Sequence, residues 1–161
     1  MNTPELSKEK LIELFCTFLS EIGIAVRERE ITETTFLPGL ELENGVLLYD
    51  REKLLYPGDM LHEAGHIAVT IEAERGSLKS NVVLGNKEKE GDEMAVLLWT
   101  YAACVKLNIP PEIVFHKDGY KGSSNWLVEN FNNKIYVGLP LIKWMGMTND
   151  DFPEMIKWLR D

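Results

Sequence analysis

Two of the three histidines in this chain stand four positions apart, in the run His62-Glu63-Ala64-Gly65-His66. Imidazole nitrogens are good metal ligands. On an α-helix, positions i and i+4 project from one face a single turn apart, so this spacing lets two rings grip one ion. Glu63 is rotated about 100° from His62 around such a helix. That keeps its carboxylate off the ion but beside a water held there, which is the place for a general base. Leu61, Ala64, Ile67 and Ala68 give the helix an apolar side. Gly65 costs it about 1 kcal/mol relative to alanine, for which close approach of another element would be a reason. The plainer alternative is a pair of helical histidines satisfied by carboxylates.

The elements that must position this motif are legible in outline. Thr3-Pro4-Glu5 reads as a helix start, followed by Leu11, Phe15, Phe18 and Ile22 at helical spacing, with Gly23 as the stop. Residues Ile24 to Ile31 alternate as a strand. Leu40 to Tyr49 reads as a hairpin, because Asn44-Gly45 suits both positive φ angles of a type I′ turn. Such a turn pairs Leu42 with Leu47 and Leu40 with Tyr49, all four on one face. Pro57 opens the helix carrying the two histidines, expected to run to about Ile71. Residues 75–91 are polar and irregular. A helix from about Asp92 to Leu107 is apolar nearly all round, hence central, and Pro110-Pro111 ends it. Shorter helices are expected at Ser123–Phe131, Leu139–Trp144 and Phe152–Leu159, the last with Asp151 and Glu154 as a capping box. No repeat or linker divides the chain, which predicts one α+β domain over residues 1–161: an N-terminal helix, a small antiparallel sheet, then helices.

Composition excludes several classes. With 161 residues and 45% apolar content the chain can bury a core. Its 17 Lys plus Arg stand against 26 Asp plus Glu, a formal net charge of −9. That balance repels phosphate backbones and argues against nucleic-acid binding. The N-terminus has no apolar signal region, and the apolar run Met94 to Val105 is too short for a bilayer, so no membrane partner is expected and a cytoplasmic location is. Cys16 and Cys104 read as reduced, buried thiols. The aromatics Trp99, Tyr101, Trp126, Phe131, Trp144 and Trp158 could line a substrate pocket, but their helical settings favour the core.

On the HExxH run, the chain resembles the zincin metallopeptidases. The resemblance implies that His62 and His66 bind Zn²⁺, that Glu63 is the general base, and that a third protein ligand exists. The metzincin pattern asks for Gly and His where this chain has Val69 and Glu72, and is rejected. The gluzincin pattern takes a Glu from a following helix. Glu93 follows His66 by 27 positions at the head of the central apolar helix, a spacing similar to that of short ImmA/IrrE-type cytosolic metallopeptidase domains, which share this order of elements over about residues 1–105. Ala95 and Val96 stand where that family commonly carries an Asn. Glu90, Asp92 and His116 remain open as alternative third ligands, and Asp92 or Glu93 could simply serve the helix N-terminus. Gluzincins also use a downstream His or Tyr to stabilise the oxyanion, which points to His116 or Tyr120 in a Gly-containing turn. Asp59 and Asp118 could orient a ligand imidazole through its second nitrogen. The implied activity is zinc-dependent hydrolysis of a peptide or protein substrate. A catalytically silent metal-binding regulatory or interaction domain is the alternative.

Overall fold

A computed structural model describes residues 6–80 and 91–161. The expected start at Thr3-Pro4, most of the polar stretch and the candidate Glu90 lie outside the described residues. The first helix, α1 (Lys8–Ile22), begins at Ser7, whose hydroxyl accepts from the Lys10 N–H at 3.2 Å. It buries Leu11, Ile12, Phe15, Phe18 and Leu19, and Gly23 ends it in the left-handed region at φ 99°.

The three strands are β1 (Val26–Glu28), β2 (Leu40–Glu43) and β3 (Val46–Tyr49), in the order β1-β3-β2. The hairpin follows its turn chemistry. Asn44 and Gly45 sit at φ 52° and 77°, Leu42 pairs with Leu47 and Leu40 with Tyr49, and all four side chains are buried. Two expectations need correction. The sheet is mixed rather than antiparallel, because β1 runs parallel to β3 and the 29–39 connection carries the chain to the far edge before the hairpin forms. The first strand is also short: past it, the Ile31 N–H bonds the Asp50 carboxylate at 2.9 Å instead of a neighbouring strand.

The HExxH helix, α2 (Asp59–Ala68), is shorter than the expected span, and a single-turn helix, α3 (Glu72–Arg75), follows it. Next among the described residues comes α4 (Glu93–Leu107), in which every residue from Ala95 to Cys104 is buried. A helix apolar on all sides must lie at the centre, and its most extensive helix contact is with α2. Asn108, left-handed at φ 55°, ends α4 before the two prolines are reached. Two 3₁₀ turns (Pro111–Ile113 and Tyr120–Gly122), α5 (Ser124–Asn132) and α6 (Leu139–Trp144) complete the helical part. The whole is a mixed α+β arrangement.

The expected C-terminal helix over Phe152–Leu159, with its Asp151/Glu154 box, does not form. The segment runs in turns with one bridge, Thr148 to Met155. Its backbone groups are taken by other elements. The Ile156 N–H donates to the Met147 carbonyl at 2.9 Å, the Arg160 N–H to the Ala68 carbonyl at 2.9 Å, and the Trp158 carbonyl accepts from the Trp99 indole at 3.0 Å. Tertiary hydrogen bonds have displaced local ones. Among the aromatics, Trp99, Tyr101 and Phe131 are core and Trp158 is half-buried, whereas Trp126 and Trp144 are exposed, contrary to expectation. The Trp144 ring is covered on one side by the Arg160 guanidinium, 5.2 Å from its centroid. Cys16 and Cys104 are free thiols, Cys104 buried and Cys16 half-buried. Among the described residues, no helix is long and apolar enough to cross a membrane.

Candidate metal centre

The close approach that would account for Gly65 is present and explains how α2 is seated. A Cβ at this position would lie 2.9 Å from Val96 Cγ1 and 3.2 Å from Trp99 Cε3, so α4 crosses α2 at the one residue with no side chain. That crossing brings the first turn of α4 under the histidine face of α2. His62 and His66 have ring centroids 5.1 Å apart, and both Nε2 atoms converge on Glu93. Its Oε1 is 3.2 Å from His62 Nε2 and its Oε2 is 3.1 Å from His66 Nε2. His62, Glu63 and His66 together could hold a metal ion, since one ligand atom from each lies within 4.8 Å of the other two. The two geometries overlap at the imidazoles and differ in the acid: Glu63 neighbours the rings along α2, whereas Glu93 meets both Nε2 atoms from α4.

Exposure shows which side is open. The His66 and His62 side chains are 6% and 14% exposed, against 39% for Glu93, so solvent reaches the cluster past the Glu93 carboxylate. Electrostatics follow from this setting. Burial pulls the His62 pKa down, but the Glu93 hydrogen bond and charge overcome it and leave the net shift upward. Burial likewise raises Glu93, and the two imidazoles more than reverse that, holding it well below the usual carboxylate range. Glu63 is raised, because burial outweighs the pull of the two histidines.

The two downstream candidates both pack against the first turns of α2. Tyr120 places its hydroxyl 3.3 Å from His62 Nδ1, and burial pushes its pKa well above 10, so it keeps its proton. His116 makes its contact with Asp59 rather than with His62 or His66. Its Nε2 lies 2.8 Å from Asp59 Oδ1, one turn before His62, and its buried Nδ1 has no partner among the described residues. Asp59 is therefore spent on His116, and Asp118 on the Tyr56 hydroxyl, which donates to it. Neither carboxylate holds a ligand imidazole. Asp92 sits at the N-cap position of α4, with no capping bond from its side chain. Glu72, in α3, is exposed. Tyr56 escaped sequence reasoning altogether: its ring stacks on His116 at 3.8 Å between centroids and 14° between planes. An aromatic just before the Pro-initiated helix was the available signal. A cleft of about 230 Å³ elsewhere, lined by Gly23, Asn44, Gly45, Arg75 and Leu159 among others, includes none of these residues.

Comparison with protein-family models, with curated proteins and with solved structures finds no match to this chain.

Proposed function

We propose that this chain is a zinc-dependent hydrolase of the metallopeptidase class, with His62, His66 and Glu93 as the ligands and Glu63 as the general base. The observation that carries the reading is the convergence of two Nε2 atoms and one carboxylate. Two nitrogens and an oxygen are a zinc donor set. Each imidazole is met by a different Glu93 oxygen, Oε1 at 3.2 Å and Oε2 at 3.1 Å, so the one carboxylate bridges both nitrogens, as a shared ligand site requires. Glu63 also has a ligand atom within 4.8 Å of the imidazole nitrogens; the ligand role falls to Glu93, which meets both rings from α4, and Glu63, whose pKa burial raises, is left as the base.

When bound, zinc acidifies water and polarises a carbonyl. The protein supplies the rest. His62 and His66, held one turn apart on α2, and Glu93 on α4 fix the site. Glu63 takes a proton from the attacking water on its carboxylate and delivers it to the leaving amine nitrogen. The partly exposed edge at Glu93 gives substrate its approach.

Metal analysis of the purified protein together with a Glu63→Gln variant tests this. One zinc per chain is expected in both. Hydrolysis of a mixed peptide library is expected to fall by about 10²–10⁴-fold in the variant. A folded protein that takes up no zinc, or equal activity in the variant, overturns the proposal.

A further inference from the structure

Along α2, the segment from residue 113 to residue 122 is fastened at three points. At Gly58 the chains touch, since a Cβ there would lie 2.2 Å from the Ile113 carbonyl oxygen and 2.7 Å from Val114 Cα. One residue on, Asp59 holds His116 at 2.8 Å. The His116 ring is enclosed by Tyr56 on one face and by Gly119 at its edge, where a Cβ would sit 3.1 Å from Cε1. Three residues after Asp59, His62 meets Tyr120. Tyr120 reaches that position with its backbone at φ 58°, a conformation a bulky residue adopts only where its surroundings hold it. Its ring packs on Phe115, centroids 5.2 Å apart, and stands edge-on to His62 at 5.5 Å and 80°. A strained tyrosine with a buried hydroxyl at a histidine nitrogen is more than filler.

We infer that Tyr120 is the positioning residue of the metal centre, its hydroxyl holding the His62 ring at Nδ1 so that Nε2 stays aimed across at Glu93. The inference rests on the metal reading above and deepens it. A ligand imidazole needs a partner at its second nitrogen to fix tautomer and ring angle. A hydroxyl serves in a way a carboxylate cannot, because it both donates and accepts. With Nε2–H directed at Glu93, Nδ1 accepts from the Tyr120 O–H. With the Nε2 lone pair given to a metal, the proton resides on Nδ1 and the Tyr120 oxygen accepts it. The ring is held in either condition, and the Asp59–His116 pair keeps the loop in register beneath it. This role differs from the oxyanion role expected for Tyr120 from the sequence, since here its hydroxyl is engaged with His62.

Tyr120→Phe keeps the ring and removes only the hydroxyl. Zn²⁺ affinity is measured by competition with a chromophoric chelator, and the imidazole nitrogens by ¹⁵N NMR, where three histidines make a sparse spectrum. Thermal unfolding of the metal-free proteins checks the fold. The expected result is a Zn²⁺ affinity about tenfold to a hundredfold weaker in the variant. A His62 Nδ1–H signal is also expected, protected from exchange in the zinc-loaded wild type and lost to fast exchange in Tyr120→Phe. Equal affinity in the two proteins, or an Nδ1–H that exchanges as fast with the hydroxyl as without it, overturns the positioning role and leaves the metal centre standing. A wild type that binds no Zn²⁺ overturns both, and that outcome is read before any variant is made.

Discussion

Among single residues, the sharpest contrast at the centre is between two glutamates that composition cannot tell apart. Glu63 lies beside the imidazoles on their own helix, and Glu93 arrives from another helix to meet both Nε2 atoms. If Glu93 is the ligand and Glu63 the base, their substitutions separate cleanly. Glu93→Ala is expected to weaken Zn²⁺ binding by more than the roughly hundredfold typical of an outer partner, while Glu63→Gln leaves the affinity within a few-fold of wild type. Chelator competition on both variants checks this, and the reverse pattern would exchange the two roles. The His116–Asp59 pair belongs to the same scale. His116 has its Nε2 on Asp59 at 2.8 Å and a buried Nδ1 without a partner among the described residues, and it is not among the residues grouped at the candidate site.

Between elements, the crossing of α2 and α4 sets the site, and Gly65 makes the crossing possible. Gly65→Ala gains about 1 kcal/mol of helix propensity. It also places a methyl 2.9 Å from Val96, a short β-branched side chain with little room to turn, and 3.2 Å from the Trp99 ring. Overpacking of this kind costs about 1–3 kcal/mol, so a net loss of stability is expected in denaturant unfolding; a stabilised variant would show that α4 can move away. The loop after β3 supplies a second case. The buried Asp50 carboxylate accepts from the Ile31 N–H at 2.9 Å and the Glu52 N–H at 3.1 Å, and the Ile31 bond leads in holding its pKa below the usual 3.8. A depressed carboxylate contributes stability above its unfolded pKa and loses it as the pH falls through the folded value. Asp50→Ala should therefore melt below wild type at neutral pH, with the gap closing as the pH drops below about 3.8. A gap independent of pH would mean that packing, not the charge-assisted bonds, is what the residue contributes.

For the whole molecule, a ligand that binds only the folded state stabilises it by about 2.7 kcal/mol at a hundred times its Kd. For a chain of this size that corresponds to roughly 5–10 °C in Tm. Scanning calorimetry with added Zn²⁺ should show an upward shift of this order, reversed by chelator and absent in His62→Ala. No shift in the wild type would argue against the centre altogether. The net charge of −9 would, on the proposed reading, favour cationic over anionic peptide substrates. The C-terminal segment is tied to the same machinery. The Arg160 N–H and guanidinium bond the Ala68 and Val69 carbonyls at the end of α2, so the HExxH helix is secured at its C-terminal end as well as by the 113–122 segment near its start.

What the sequence determined by itself lies within single elements. The pairing of two histidines on one helical face, the Asn44-Gly45 hairpin register, the all-round apolar character of α4 and the cue for a close neighbour at Gly65 are each written in residues a few positions apart. Backbone periodicity and turn stereochemistry read such spacings directly. What joins elements had to wait for the tertiary structure. Spacing alone makes Glu93 a candidate beside Glu90, Asp92 and His116, and only the crossing of α4 over α2 shows its carboxylate within 3.2 Å of His62 Nε2 and 3.1 Å of His66 Nε2. Tyr120 meets a histidine 58 positions away, Asp59 turns to His116 and Asp118 to Tyr56, and residues 152–159 give up a helix for hydrogen bonds to distant carbonyls. Side chains of the same type are interchangeable along a chain. They become distinct only when packing decides which of them lies within about 3 Å of a partner.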